Sequence, residues 1–320
     1  MAEDDSRIRV LYIDGAARSG TTILARMIGA QPRYVPVGES VLIWRFGVAG
    51  DGTCSCGKHF SACTFWQEVA DLAPGIFDSR TARRYVDFVN DFVLRSRRLP
   101  WLWTAPGRRR MRSSIPSGLL EDVSRLYRAV LAASGASVVV DSSKFAAYRF
   151  LLSLVPDLNL TSVQLLRDPR AVAFSWQRAS TVAERDRADE ALRFHKRNVL
   201  TAALDWTLQN CSTEVINRLD DSTSYRLRYE DFVARPQLTI RELVGGSVGL
   251  EGLSGQQQSA VDLPEVHIFG NPSRFKVGTV PIRLDDEWRV EMPMRSRVLV
   301  TAISSPLLTR YGYAFRTRVG

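Results

Sequence analysis

The chain of 320 residues carries 43 Lys and Arg against 34 Asp and Glu, a formal net charge of +9 and a pI near 9.7. At 45% hydrophobic and 24% charged it has the balance of a folded chain with a sizeable core, which excludes a disordered or collagen-like chain. No apolar run reaches the length of a membrane-spanning helix, and the basic surplus favours polyanionic partners: nucleic acid, anionic lipid or a nucleotide with several phosphates.

Met1 to Arg9 is polar and a strand-like run starts at once, so no signal peptide is expected and the expected location is cytoplasmic, with peripheral contact at a membrane surface left open. Ile8 to Asp14 is short, apolar and partly β-branched, and predicts a strand. Gly15 to Gly20 predicts a turn and Thr21 to Gly29 a helix. Cys54 to Cys63 predicts a glycine-containing loop, Phe65 to Arg97 a helix broken near Pro74 and Gly75, and Leu119 to Ala133 another helix. Between them, Arg95 to Arg112 holds much of the basic surplus around Trp101 and Trp103, and reads as a solvated loop or an interaction surface. Val138 to Val140 predicts a buried strand ending in Asp141, followed by helix over Phe145 to Val155, strand over Leu160 to Leu166 and helix over Ala171 to Arg178. Arg185 to Leu219 predicts one long helix, on which Trp206 and Asn210 pack inward. Ser224 to Arg228 predicts a strand and Leu238 to Val244 a helix. The C-terminal third, punctuated by Gly270, Pro272, Gly278 and Pro281, is less regular.

Strands alternating with helices imply an α/β fold, a P-loop-like central parallel β-sheet flanked by helices on both faces. No linker or repeat divides the chain, so one domain over 1–320 is expected. In such sheets ligands bind beyond the carboxyl ends of the strands. That rule selects Gly15 to Thr22, Asp141 to Lys144 and Arg167 to Arg170, each directly after a strand.

The first of these, Gly15-Ala16-Ala17-Arg18-Ser19-Gly20-Thr21-Thr22, has two glycines bracketing four residues between strand and helix. Inward backbone N–H groups and a helix N-terminus suit a phosphate. A nucleoside triphosphatase loop would place Lys where Thr21 stands; here the cation is Arg18, which argues against ATP or GTP hydrolysis. In the third, Arg167 to Arg170, Asp168-Pro169 is the start of a helix, with Asp168 as cap. Arg167 before it carries a planar fork of donors suited to phosphate oxygens.

Arg18-Ser19-Gly20-Thr21-Thr22 resembles the 5′-phosphosulfate loop of the sulfotransferase superfamily, and Arg167-Asp168-Pro169 with Ser175 eight residues after the arginine resembles its 3′-phosphate motif. Gly270-Asn271-Pro272-Ser273-Arg274-Phe275 is similar to a cofactor-closing segment of bacterial members. The resemblance covers roughly residues 8 to 290. It implies 3′-phosphoadenosine 5′-phosphosulfate (PAPS) as donor and adenosine 3′,5′-bisphosphate as product; no metal is required if side-chain cations face the leaving oxygen. It implies a donor site of Gly15, Ala17, Arg18, Ser19, Gly20, Thr21, Thr22, Arg167, Ser175, Tyr229 and Arg274. Arg167 and Ser175 would grip the 3′-phosphate. Tyr229, in a segment near the adenine of relatives, would stack on the base or belong to the core.

Arg18 and Lys144 are the cations expected at the departing phosphate. The three histidines, His59, His195 and His267, match no catalytic context of the family; His267 is expected to support the closing loop. Val37-Gly38-Glu39-Ser40 looks like the segment in which tyrosylprotein-type and several bacterial members carry a glutamate base. Glu39 follows Arg18 by 21 residues, enough for one helix and a return to the same edge. The expected acceptor is a small molecule, carbohydrate or lipid, not nucleic acid, in a pocket shaped by the helical and loop insertion at about 40–135. The readings this competes with are a P-loop kinase or hydrolase and a non-catalytic polyanion-binding protein. Cys54, Cys56 and Cys63 lack the paired C-x-x-C units of common zinc folds and would need His59 or the distant Cys211 to complete four ligands, while a disulfide would be unusual in a reducing cytoplasm.

Overall fold

The computed structural model describes residues 7–183, 197–220, 222–245, 260–263, 275 and 278–315. Strand β1 (Ile8–Asp14) shows why the sheet is buried on both faces. Ile8, Val10 and Tyr12 join one core with Val139 and Leu160; the alternate residues Leu11 and Ile13 join another with Val140 and Leu165. Period-two alternation with apolar residues on both sides is the pattern of a central parallel strand.

After β1 come α1 (Thr21–Gly29) and β2 (Tyr34–Gly38). The return to the sheet takes about a hundred residues without a named strand: a 3₁₀ turn (Ser40–Leu42), a π-helical turn (Ile43–Val48), α2 (Thr64–Leu72), α3 (Ser79–Phe88), a second π-helical turn (Val89–Val93), a 3₁₀ helix (Ser96–Trp103), α4 (Ala105–Ser113) and α5 (Leu119–Ser134). Then follow β3 (Val138–Lys144), α6 (Ala146–Leu152), β4 (Leu158–Leu166), α7 (Pro169–Ala183), α8 (Val199–Leu219), β5 (Ser224–Arg228), α9 (Tyr229–Ala234) and α10 (Pro236–Gly245). The remaining elements are β6 (Ala260–Leu263), β7 (Gly278–Pro281), α11 (Trp288–Glu291) and α12 (Met294–Arg310).

The main sheet has five strands in the order β2-β3-β1-β4-β5, every pairing parallel. Strands β6 and β7 form a separate antiparallel pair. Helices cover both faces of the sheet, so the expected fold class holds. No helix among the described residues is long and apolar enough to cross a membrane.

Besides the β6–β7 pair and the short helices α9 and α11, which the sequence reading left out, the structure departs from that reading as follows. Strand β2 was not expected, because it is short and contains Pro36; it lies at the sheet edge, where a residue without an N–H is tolerated. Helix α12 was not expected, because Pro306 sits inside it. The long helix begins at Val199, not Arg185, where Asn198 caps it by accepting from Thr201 N at 2.7 Å; residues 184–196 lie outside the described residues. The basic stretch Arg95 to Arg112 is helical, not a loop, and folds on its own aromatics: Arg98 stacks 4.3 Å and Arg110 4.7 Å from the Trp101 ring, and Trp103 Nε1 donates to Ser212 Oγ on α8.

Candidate functional site

The parallel register brings four strand ends to one edge. Asp14 of β1 lies beside Lys144 of β3 on one side and Gln164 of β4 on the other, while Gly38 of β2 pairs with Asp141. Across that edge therefore stand Glu39, Lys144, the Gly15–Gly20 loop and Arg167. All three segments expected to converge do so.

The loop is tightly seated. A Cβ on Gly15 (φ 150°) would come within 2.5 Å of Leu165 O, and one on Gly20 (φ 93°) within 2.7 Å of the Tyr229 ring, so both positions require glycine. Arg18 and Lys144 also adopt left-handed backbone, at φ 73° and 63°. For residues with a side chain this costs of order 1–3 kcal/mol and clusters where function needs it. The main chain at Lys144 is held from two sides: Gln209 Nε2 donates to its carbonyl at 2.8 Å, and Gly15 N reaches the same oxygen at 3.4 Å.

Lys144 Nζ lies 2.5 Å from Glu39 Oε1, and both side chains are only 9% exposed. A buried polar cluster fixes the turn that carries Glu39. Asp141 accepts from Ser40 Oγ, from Tyr127 OH at 2.6 Å and from Ser143 N at 2.7 Å; Val41 N donates to Ser143 Oγ, and Tyr148 OH hydrogen-bonds with Ser40 Oγ. Burial raises the Asp141 carboxyl, against the pull of these hydrogen bonds.

On the other side of the loop, Arg18 Nε donates to Ser175 Oγ at 3.0 Å. Arg167 Nη1 donates to Arg18 O at 3.0 Å, its guanidinium lies 4.7 Å over the Tyr229 ring, and its Nη2 meets the Asp285 carboxylate at 2.9 Å. Trp206 Nε1 anchors the Arg167 carbonyl at 3.0 Å. Burial, then the nearby Arg167 charge, pulls the Arg18 guanidinium below its ordinary value, while Asp285 acts the other way. Two neighbouring guanidinium groups, one buried and one half-buried, favour an anion beside them. Asp168 caps α7, as its sequence position predicts, accepting from Arg170 N at 2.9 Å.

Two cavities open on this edge. One, of about 370 Å³, is lined by Ala17, Arg18, Gly20, Thr21, Thr22, Arg167, Ser175, Tyr229, Asp285, Glu39 and Lys144. The other, of about 410 Å³, is lined by Gly15, Leu42, Arg45, Phe46, Leu99, Trp176, Gln209 and others, and again by Ala17, Glu39 and Lys144. Of the expected donor residues, Gly15 falls in the second cavity, and Ser19 lines neither, its hydroxyl being buried without a hydrogen-bond partner among the described residues. Arg274, His195 and His267 lie outside the described residues. His59 is an exposed loop residue whose Nδ1 lies 2.8 Å from Asp51 O. The Tyr229 ring carries a guanidinium, so the structure places it as a platform for Arg167.

The Asp141 cluster, Gln209 and Asp285 went unread in the sequence. Asp141, a charged residue closing the run Val138 to Val140, was a usable signal for a buried anchor; Asp285 offered none.

The model of a family described as the sulfotransferase family matches residues 11–246. Among solved structures, the chain is similar to the sulfotransferase domain from the curacin biosynthetic pathway, at TM-score 0.50 and 16% identity over 97% of this chain and 99% of that one, a likeness of fold. It is also similar to a sulfotransferase from Alicyclobacillus acidocaldarius (TM-score 0.41, 16% identity, 95% and 96% covered) and to one from Mycobacterium avium (TM-score 0.46, 12% identity, 98% and 80% covered). No curated protein matches the chain in sequence.

Proposed function

The chain belongs to the sulfotransferase family, and from that premise we propose that it transfers a sulfuryl group from PAPS to a hydroxyl or amine of a small acceptor. One observation carries the reading: the Glu39–Lys144 pair lines both cavities, so it stands where a donor in one meets an acceptor in the other.

The chemistry follows from the residues. The 370 Å³ cavity offers the backbone of the Gly15–Gly20 loop, the N-terminus of α1 and the Arg18, Ser175 and Arg167 cluster to the donor's phosphates. Glu39, an acceptor-only carboxylate, takes the proton of the acceptor hydroxyl as its oxygen attacks sulfur. The sulfur–oxygen bond to the 5′-phosphate breaks, and the electron pair leaves on the phosphate oxygen of adenosine 3′,5′-bisphosphate. Lys144 faces that oxygen with a buried charge, which a low-dielectric site makes effective. Arg18, turned onto Ser175, serves the donor's phosphates rather than the transferred group. Side-chain cations thus supply the role that Mg²⁺ has in phosphoryl transfer.

The acceptor cavity is walled by Leu42, Phe46, Leu99 and Trp176 with Arg45 and Gln209 among them. That lining suits an amphipathic acceptor with an apolar body and a few polar groups. The test is sulfur-labelled PAPS incubated with the protein and a metabolite extract of its source organism, with EDTA present. Label should appear in an organic product, identified by mass spectrometry, and adenosine 3′,5′-bisphosphate should accumulate. Mg²⁺-dependent phosphoryl transfer from ATP, with PAPS untouched, would replace this reading by the kinase one.

A further inference from the structure

The loop after the first π-helical turn gathers three thiols. The sulfurs of Cys54, Cys56 and Cys63 all lie within 4.8 Å of one another, and Cys56 Sγ is 3.6 Å from Cys63 Sγ. Cys54 and Cys63 are fully buried and Cys56 is half-buried. The gathering is built by the chain, since these residues belong to no long element. Thr53 and His59 form an isolated antiparallel bridge, Gly57 turns the chain with Gly57 N donating to Cys54 O at 2.9 Å, and Cys63 sits at the N-terminus of α2.

We propose that Cys54, Cys56 and Cys63 bind one Zn²⁺ as thiolates, with water in the fourth position on the half-exposed Cys56 side. Thiolates about 2.3 Å from a tetrahedral zinc stand about 3.8 Å apart, close to the separation seen for Cys56 and Cys63. Binding releases one proton to solvent from each ligating thiol, and affinity therefore falls with acid. The spacing lacks paired C-x-x-C units because a two-residue turn and a helix N-terminus supply the geometry instead. Cys211, on α8, belongs to a different core and is outside the group.

The site has a mechanical consequence. Gly52 N donates to Phe46 O at 2.6 Å, Phe60 N donates to Gly52 O at 3.0 Å, and the Phe60 ring lies against Gly47. The thiol loop thus braces the π-helical turn that carries Arg45 and Phe46 into the acceptor cavity. Zinc holds the acceptor wall, not the donor edge.

The test measures metal in the untagged full chain, grown with zinc and dialysed, by plasma mass spectrometry. The expected content is about one zinc per chain, falling below about a tenth in Cys56→Ser and unchanged in Cys211→Ser. Replacement by Co²⁺ should add sulfur-to-cobalt charge-transfer absorption, which Cys56→Ser removes; this reading on the wild-type chain stands even where the variant fails to fold. Wild-type protein with no more zinc than Cys56→Ser and all its thiols reduced would overturn the proposal. So would a Cys56–Cys63 disulfide found by peptide mapping of freshly isolated protein.

Discussion

The two cavities that share Glu39 and Lys144 are built by opposite means. The donor side rests on strand ends that the sheet register fixes, and carbonyls just beyond them are held from α8, by Gln209 on that of Lys144 and Trp206 on that of Arg167. The acceptor side rests on a helical excursion between β2 and β3, made of 3₁₀ and π-helical turns and held by aromatic packing. Trp44 meets Tyr85 edge-on at 5.1 Å, and Phe60 stacks on Trp66 at 5.7 Å. A sheet edge tolerates little variation in position, whereas packed side chains can be exchanged if volume is kept, so the excursion is where the lining of a cavity can change at least cost.

The largest expected effect lies where the two regions meet. Glu39→Gln should lower turnover by roughly a hundredfold to ten-thousandfold, the usual loss for a general base, while adenosine 3′,5′-bisphosphate binds as before. Turnover within twofold of wild type would remove Glu39 from the chemistry. Next comes the acceptor side alone. Trp66 is 1% exposed, and Trp66→Ala should destabilise the chain by about 3–5 kcal/mol in chemical denaturation. If the two regions are mechanically separate, the acceptor KM rises and bisphosphate affinity holds. A parallel loss of both would show one cooperative unit.

The donor side carries a pH dependence of its own. Asp14, at the foot of the loop, is fully buried 3.8 Å from Arg149, and burial raises its carboxyl from 3.8 to about 7. Between those values the folded chain keeps a proton that the unfolded chain gives up. The stability this contributes is complete below the unfolded value and is lost as pH rises through about 7. Asp14→Asn mimics the protonated form, so its stability relative to wild type should be higher at pH 8 than at pH 5 in denaturant titrations. A difference that does not change with pH would mean that Asp14 titrates alike in both states.

The smallest effect concerns Asp285, a 41% exposed carboxylate resting on Arg167. It competes with a phosphate for the same guanidinium; Arg167 is buried but Asp285 lies at the surface, where solvent screens it, so the pair is worth about 1 kcal/mol or less. Asp285→Ala should tighten bisphosphate binding by about twofold to fivefold, with no change for AMP. Weaker binding would make Asp285 a positioning residue for Arg167 instead.

The same contrast explains what could be read in the sequence. Residues such as Arg18, Gly20 and Arg167 follow strands directly, and turn chemistry ties them to a phosphate, so their convergence could be inferred from strand order alone. The excursion could not be. A helical reading of Phe65 to Arg97 is broadly right, yet the π-helical turns at Ile43–Val48 and Val89–Val93 leave no periodic trace; Arg95 to Arg112 is solvated as it reads, with Arg95, Arg97, Arg109, Arg110 and Arg112 exposed, but its helices and the stacking of Arg98 and Arg110 on Trp101 could not be read from a run of charge. Asp285 is the extreme case: it reaches Arg167 from 118 residues away, through tertiary packing that no local pattern records.

The central claim is that this edge holds a nucleotide by its 3′-phosphate. Calorimetry of adenosine 3′,5′-bisphosphate and of AMP, on wild type and on Arg167→Ala, tests it directly. A charge-assisted hydrogen bond is worth roughly 1.5–3 kcal/mol, so the variant should bind the bisphosphate about tenfold to a hundredfold more weakly and AMP almost unchanged. Equal binding of the two ligands by the wild-type protein would contradict the assignment.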